Sequence, residues 1–363
     1  MTDWAECPPR QAGIAARGLD RALDLVRARN AAAQLCVLRD GNVVLDRAFG
    51  CGPESLFWIF SASKPFVALL VHLLAERGEL SLDDRVARYW PEFGQRGKET
   101  ITVRQVLQHR SGLPVARSRT LDALAMPDWE RSVHHIERAS PSWPPGQVPA
   151  YHYISYGFIL GELVRRVSGV GVADFLAAEF LGPLGLGDIH LGLPGDLWSR
   201  QVPVRGRGLA GRVSQVFVNR RAIRQAVIPA AGISATARDL ARFYQALLRG
   251  GELDGIEVLQ AATIEQARQP SSDGERDRFL KLAIRWSQGF QLGGPSQEPA
   301  APRPMGQLSS PQTFGHNGSN CCIAWADPAR QLVFVYLTDR LTASPEGARH
   351  QGSVADAIIA ACS

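Results

Sequence analysis

Strand-forming runs stand at both ends of this chain, and a long helical stretch separates them. Near the start, "AAQLCVLRDGNVVLDRAFG" holds two β-rich runs around Asp40-Gly41, a two-residue pair that favours a tight hairpin. Near the end, "FGHNGSNCCIAWADPARQLVFVYLTDR" reads as two more strands joined at Asp327-Pro328. From about Ser81 to Leu193 the apolar spacing is mainly helical, broken by loops at 111–114 and 141–150. Helices also open the chain ("GLDRALDLVRARN"), precede the late strands ("SATARDLARFYQALLRGG") and follow them ("EGARHQGSVADAIIAACS"). Strands split in this way share one core if both ends of the chain build the same sheet. The expected fold class is therefore α/β (α+β): a mixed, mainly antiparallel sheet flanked by helices, with an inserted all-helical region. The expected domains are 1–80 with 225–363 for the sheet and 81–224 for the mainly helical insert, with a cleft between them.

Composition narrows the class. A chain of 363 residues, 45% hydrophobic and 21% charged, suits a soluble globular protein. A net charge of +5 is mild, and without a zinc-finger or RNA-binding signature it gives no reason to expect nucleic acid. No uncharged run approaches the ~18 residues of a membrane span, and "MTDWAECPPRQAG" lacks the basic and apolar segments of a secretory signal, so a cytoplasmic location is expected. The six cysteines show no CxxC spacing and read as reduced. The histidines show no ligand spacing, so neither a metal nor a cofactor is expected.

One short stretch carries chemistry. In "FWIFSASKPFVALLVHLLAERGEL", Ser61, Ser63 and Lys64 fall between a short strand and a buried helix. The chain holds only three lysines (Lys64, Lys98, Lys281) among 40 basic residues. Where arginine would serve as a fixed charge, the sequence nearly always uses it. A buried lysine, unlike arginine, can lose its proton and act as a base. Ser61 and Lys64 form S-x-x-K, which on a helix puts amine and hydroxyl on one face. Two further stretches could meet them: Tyr151, after the Pro145-Gly146 loop, and His316-Asn317-Gly318, which opens a late strand.

In this order the motifs resemble those of the serine β-lactamase-like hydrolases, the superfamily of class C β-lactamases, penicillin-binding peptidases and related esterases. The likeness covers nearly the whole chain. Ser61 to Lys64 matches the nucleophile motif, "QVLQHRSGLP" is similar to a family stretch ending in Ser-Gly-Leu-Pro, and Tyr151 falls where the family has its catalytic tyrosine. Two positions depart from the lactamase pattern: Tyr-x-Asn is Tyr151-His152-Tyr153, and Lys-Thr-Gly is His316-Asn317-Gly318. Both changes remove groups used on a β-lactam and favour the esterase branch.

The resemblance implies a serine esterase acting on a small-molecule ester through a Ser61 acyl-enzyme. Lys64 and Tyr151 would share the proton transfers, and the backbone N–H groups of Ser61 and Ser319 would hold the oxyanion. Tyr153, His316 and Gly318 would contact substrate. Acyl transfer to an alcohol or amine uses the same intermediate and is the alternative; a lactamase, a peptidase or a silent binding module is a more distant one. No G-x-S-x-G elbow supports an α/β-hydrolase plan. Residues 200–224 carry seven arginines and no acid, which suits either a solvated loop in a chain that favours arginine or the steering of an anionic or carrier-bound substrate.

Overall fold

The computed structural model describes residues 4–295, 298, 301–342 and 345–362. Its centre is a six-stranded sheet: β1 (Ala33–Arg39), β2 (Asn42–Phe49), β3 (Gln291–Leu292), β4 (Phe314–Gly318), β5 (Cys322–Asp327) and β6 (Leu332–Thr338), in the spatial order β2-β1-β6-β5-β4-β3. All of its pairings are antiparallel. The two ends of the chain meet in register, Ala33 opposite Thr338 and Arg39 opposite Leu332. The β1–β2 turn is built as its residues predict, with Asp40 at φ 51° and Gly41 at φ 79°.

Side-chain alternation divides this sheet between two cores. Leu35, Val37, Ile323, Trp325, Phe334 and Tyr336 pack with helices α1 (Ala16–Ala28) and, at the chain's end, Glu346–Ile359. Cys36, Leu38, Ala324, Ala326, Val333 and Val335 face the other way, into the cluster that holds α2 (Lys64–Glu76), α3 (Ser155–Ser168) and α4 (Ala237–Leu248). Glu346–Ile359 is α5. Odd and even residues thus bury opposite faces, so a one-residue slip would turn both cores inside out. α2 is buried at every position from Lys64 to Leu74, a core helix rather than an amphipathic surface one.

The stretch between the sheet halves holds most of the helices and also contributes strands. Ile189–Leu191 pairs with Ile233–Ala235, which pairs in turn with Phe57–Trp58, and Arg205–Gly206 runs parallel to Arg340–Leu341. Among the described residues no helix is long and apolar enough to cross a membrane, and no cluster of side chains has metal-binding geometry.

Candidate active site

The strand before Ser61 is only Phe57–Trp58; a 3₁₀ turn, Phe60–Ser63, then feeds directly into α2. Phe60, at φ 51°, makes the sharp bend, an uncommon backbone for an aromatic residue and one tolerated where surrounding packing holds it. Its ring stacks on Trp58 at 5.1 Å. Ser61 therefore stands just ahead of the helix, and Lys64 is the helix's first residue. The neighbouring Ser63 turns inward, where its hydroxyl accepts a hydrogen bond from the Ile233 N–H at 3.1 Å.

Lys64 is 1% exposed. Its Nζ lies 2.9 Å from the Tyr153 carbonyl, 3.2 Å from the Ala230 carbonyl and 3.3 Å from Ser61 Oγ. Burial, with no carboxylate beside it, holds its pKa well below the ordinary lysine range. Two of the three neighbours can only accept, so a neutral amine donates both N–H bonds to the carbonyls and turns its lone pair to the serine hydroxyl.

Tyr151 hydrogen-bonds with the same hydroxyl. Its ring lies 4.7 Å from Lys64 Nζ. Burial pushes its phenol well up, only partly offset by a hydrogen bond with Ser61, so Tyr151 stays protonated at neutral pH. Burial thus favours a neutral amine beside a neutral phenol.

Three residues fix Tyr151 that sequence reasoning missed. Trp286 stacks on its ring at 5.3 Å, His109 packs against it at 4.9 Å, and Asp277 accepts both the Tyr151 N–H at 2.8 Å and the Trp286 indole N–H at 3.1 Å. His109 belongs to a buried chain. The Ser111 hydroxyl lies 2.5 Å from His152 Nε2, and His152 Nδ1 lies 2.9 Å from His109 Nδ1. The His152 backbone N–H also donates to His109 Nδ1, so that nitrogen is an acceptor and the His152 ring must donate to it. His152 Nε2 then accepts from Ser111. His109 and Ser111 stand in the "HRSGLP" stretch, and His152 directly follows Tyr151.

β4 closes the site. A side chain at Gly318 would collide with the Ile59 carbonyl, so only glycine lets this strand approach the nucleophile turn so closely. Gly318 thus sets a backbone distance and does not itself line the cavity. The following Ser319, at φ 49°, does line it, and no hydrogen bond among the described residues engages the backbone N–H of Ser61 or Ser319. His316 Nδ1 donates to the Asn317 carbonyl at 2.8 Å, leaving Nε2 as an acceptor that is buried without a partner. Burial and the nearby Lys64 push His316 down to about 3, so it is neutral.

Ser61, Tyr151, Tyr153, His316 and Ser319 share one cavity of about 450 Å³. Phe279, Leu280, Ile284, Leu292 and Met305 give it apolar walls. None of the seven arginines of residues 200–224 lines it. Its basic residues are Arg119, Arg285 and Arg303, of which Arg285 is paired with Asp273 at 2.7 Å. Arg224 lies buried against the Trp58 ring, a structural placement.

The sequence matches the Beta-lactamase family over residues 19–358. It is 30% identical to the esterase/beta-lactamase LipL of Mycobacterium tuberculosis, an alignment covering 88% of this chain and 80% of that protein. Esterase EstB of Burkholderia gladioli is 28% identical, over 84% of this chain and 87% of its own length. The crystal structure of a family VIII carboxylesterase superposes with a TM-score of 0.78 at 27% identity, covering 95% of this chain and 99% of that one. The chain thus belongs to the β-lactamase family and has the fold of its serine hydrolases.

Proposed function

We propose that the protein is a serine carboxylesterase working through an acyl-enzyme on Ser61. The observation that carries this reading is the ligand set of Lys64: two backbone carbonyls and the nucleophile's hydroxyl, with no acid to keep the amine charged. As Ser61 Oγ attacks the ester carbonyl, its proton passes to the Lys64 amine. The carbonyl oxygen becomes an oxyanion between the N–H groups of Ser61 and Ser319. One such donor is typically worth about 3 kcal/mol of transition-state stabilisation. When the tetrahedral centre collapses, the departing alkoxide takes the Tyr151 proton, and the Lys64 ammonium restores it. Water then enters, gives one proton to the neutral amine and attacks the acyl carbon; the bond to Ser61 Oγ breaks, the serine oxygen takes that proton back from the Lys64 ammonium, and the acid leaves.

His316 sharpens the substrate class. In the lactamase pattern a lysine ammonium stands here, suited to a carboxylate. Neutral His316 offers a lone pair instead, which repels a carboxylate and accepts an O–H or N–H of substrate or water. The names of the relatives support the same class, for LipL, EstB and the family VIII protein are all called esterases.

Intact-mass measurement with a panel of p-nitrophenyl esters tests the proposal. The expected result is one acyl adduct, mapped to Ser61, that decays in water. Added alcohols or amines that speed the decay and gain the acyl group would identify transfer. Turnover without an adduct, or an adduct that persists in Ser61→Ala, overturns the assignment.

A further inference from the structure

Between Asp196 and Asp239 the chain has no acidic residue, and within that segment lies helix Gly208–Val218. Leu209, Val213 and Val216 recur at i, i+4 and i+7, which places them on one face of it. Buried apolar residues at that spacing would be ordinary. Here they are 83%, 64% and 64% exposed, and they are the three most exposed large hydrophobic side chains among the described residues.

The inward side of the helix is well held. Gln215 accepts from the Gly206 N–H at 2.9 Å, Asn219 brackets the Val204 backbone at 2.8 and 2.9 Å, and Val218 is buried. The apolar stripe therefore faces outward because the other side is anchored. Around it stand exposed arginines. Arg205 pairs with Asp339 and Arg207 with Glu346, both keeping most of their surface in solvent, while Arg212, Arg220 and Arg221 make no ion pair among the described residues.

The patch adjoins the cavity. Arg205–Gly206 runs beside Arg340–Leu341, and Glu346, the partner of Arg207, opens α5, whose Ala348 lines the cavity. We infer that helix Gly208–Val218 docks the protein on an anionic lipid surface, its apolar stripe entering the headgroup boundary and its arginines meeting the lipid charge. Apolar residues beside exposed arginines, three of them without an ion pair among the described residues, fit such a surface, whereas the cavity's own basic residues lie elsewhere. An ester borne by that surface would then enter beside Ser319. The docking is independent of the chemistry proposed for Ser61.

Co-sedimentation of the whole protein with extruded vesicles tests it. Binding is expected to phosphatidylcholine vesicles containing about a third phosphatidylglycerol, and to weaken as salt rises. The triple change Leu209→Ser, Val213→Ser, Val216→Ser should lower binding at least about tenfold, as should Arg212→Gln with Arg220→Gln and Arg221→Gln. Both variants should hydrolyse a soluble short ester at the wild-type rate, which shows that they fold, and Ser61→Ala should sediment like the wild type. Three results would overturn the inference: a wild type that ignores anionic vesicles, variants that bind like the wild type, or a patch that instead mediates self-association or binding to an acidic carrier protein.

Discussion

Two of the protein's three lysines are buried in nearly the same way, and only one is placed to do chemistry. Lys98 donates to the carbonyls of Glu137 and Ala139 and lies 5.5 Å from the Phe93 ring centre. Lys64 donates to the carbonyls of Tyr153 and Ala230 and lies 4.7 Å from the Tyr151 ring centre. Burial lowers both, Lys98 to about 8 with Arg96 adding to the fall and Glu99 and Glu137 opposing it, Lys64 well below the ordinary lysine range with no acid to oppose it. The decisive difference is the third neighbour, which for Lys64 is a nucleophile. Burial and a pair of carbonyls make a lysine that ties loops together; a hydroxyl in the last position makes a base.

The largest effect should come from breaking that distinction. Lys64→Arg keeps a cation but cannot supply a neutral amine, so kcat/KM for a p-nitrophenyl ester should fall at least about a hundredfold. Lys98→Arg should leave it within about twofold. Ser61→Ala should abolish turnover with the thermal transition unchanged. Ser63→Ala should turn over normally yet lose about 1–3 kcal/mol of stability, because it strands the buried Ile233 N–H. Activity in Lys64→Arg close to the wild type would reduce Lys64 to the status of Lys98.

The next effect is on pH. Because Lys64 works as a free base with a lowered pKa, activity should be present above that value and fall as pH drops through it. His316 and His152 are each pushed down to about 3, chiefly by burial. Their unfolded counterparts gain protons near 6.5 while the folded forms do not, so stability should decline as pH falls from about 6.5 toward 3. Rates and urea midpoints across this range separate the two: the acid limb of the rate should survive in His316→Gln, whereas that variant's stability should fall less steeply.

Ser61 and Lys64 were legible in the sequence because their relation is local: three residues along a helix start fix which side chains share a face. The two hairpins were legible for the same reason. Tyr151 and His316 needed the order of several motifs, and their environment was not legible at all. Asp277 and Trp286 come from a loop whose residues show no helical or strand period, so nothing local says that they will cover Tyr151. The proton states were out of reach for a related cause: the burial that raises Tyr151 and lowers Lys64 is a product of tertiary packing. The arginines of residues 200–224 were conspicuous by composition, yet composition could not say that they would stand outside the cavity.

A smaller effect tests what His316 selects. His316→Lys restores the cation of the lactamase pattern, so an ester whose acyl group carries a carboxylate should gain about tenfold in kcat/KM relative to its neutral methyl ester. Both rates should drop in absolute terms, because a second ammonium near Lys64 disfavours proton uptake there. An unchanged ratio would place the carboxylate-discriminating contact elsewhere on the cavity wall, with Arg119 and Arg303 the basic residues there that make no ion pair among the described residues.

The smallest effect belongs to Lys98 and completes the comparison. Its folded pKa of about 8 lies below that of the unfolded chain, so between about 8 and 10.5 the unfolded state binds more protons and stability must rise with pH. Below 8 both states are protonated and the cost of burying the charge is constant. Lys98→Met lacks this titration, and it also leaves the Glu137 and Ala139 carbonyls without their donor, so it should be less stable throughout. The gap between wild type and Lys98→Met, read from urea midpoints, should therefore widen from pH 8 to 10.5. At the same time the ester hydrolysis of the two should stay equal. A gap that stays flat would mean that Lys98 keeps its proton with the help of Glu99 and Glu137, and that the acids around a buried lysine, more than its burial, separate a structural amine from a basic one.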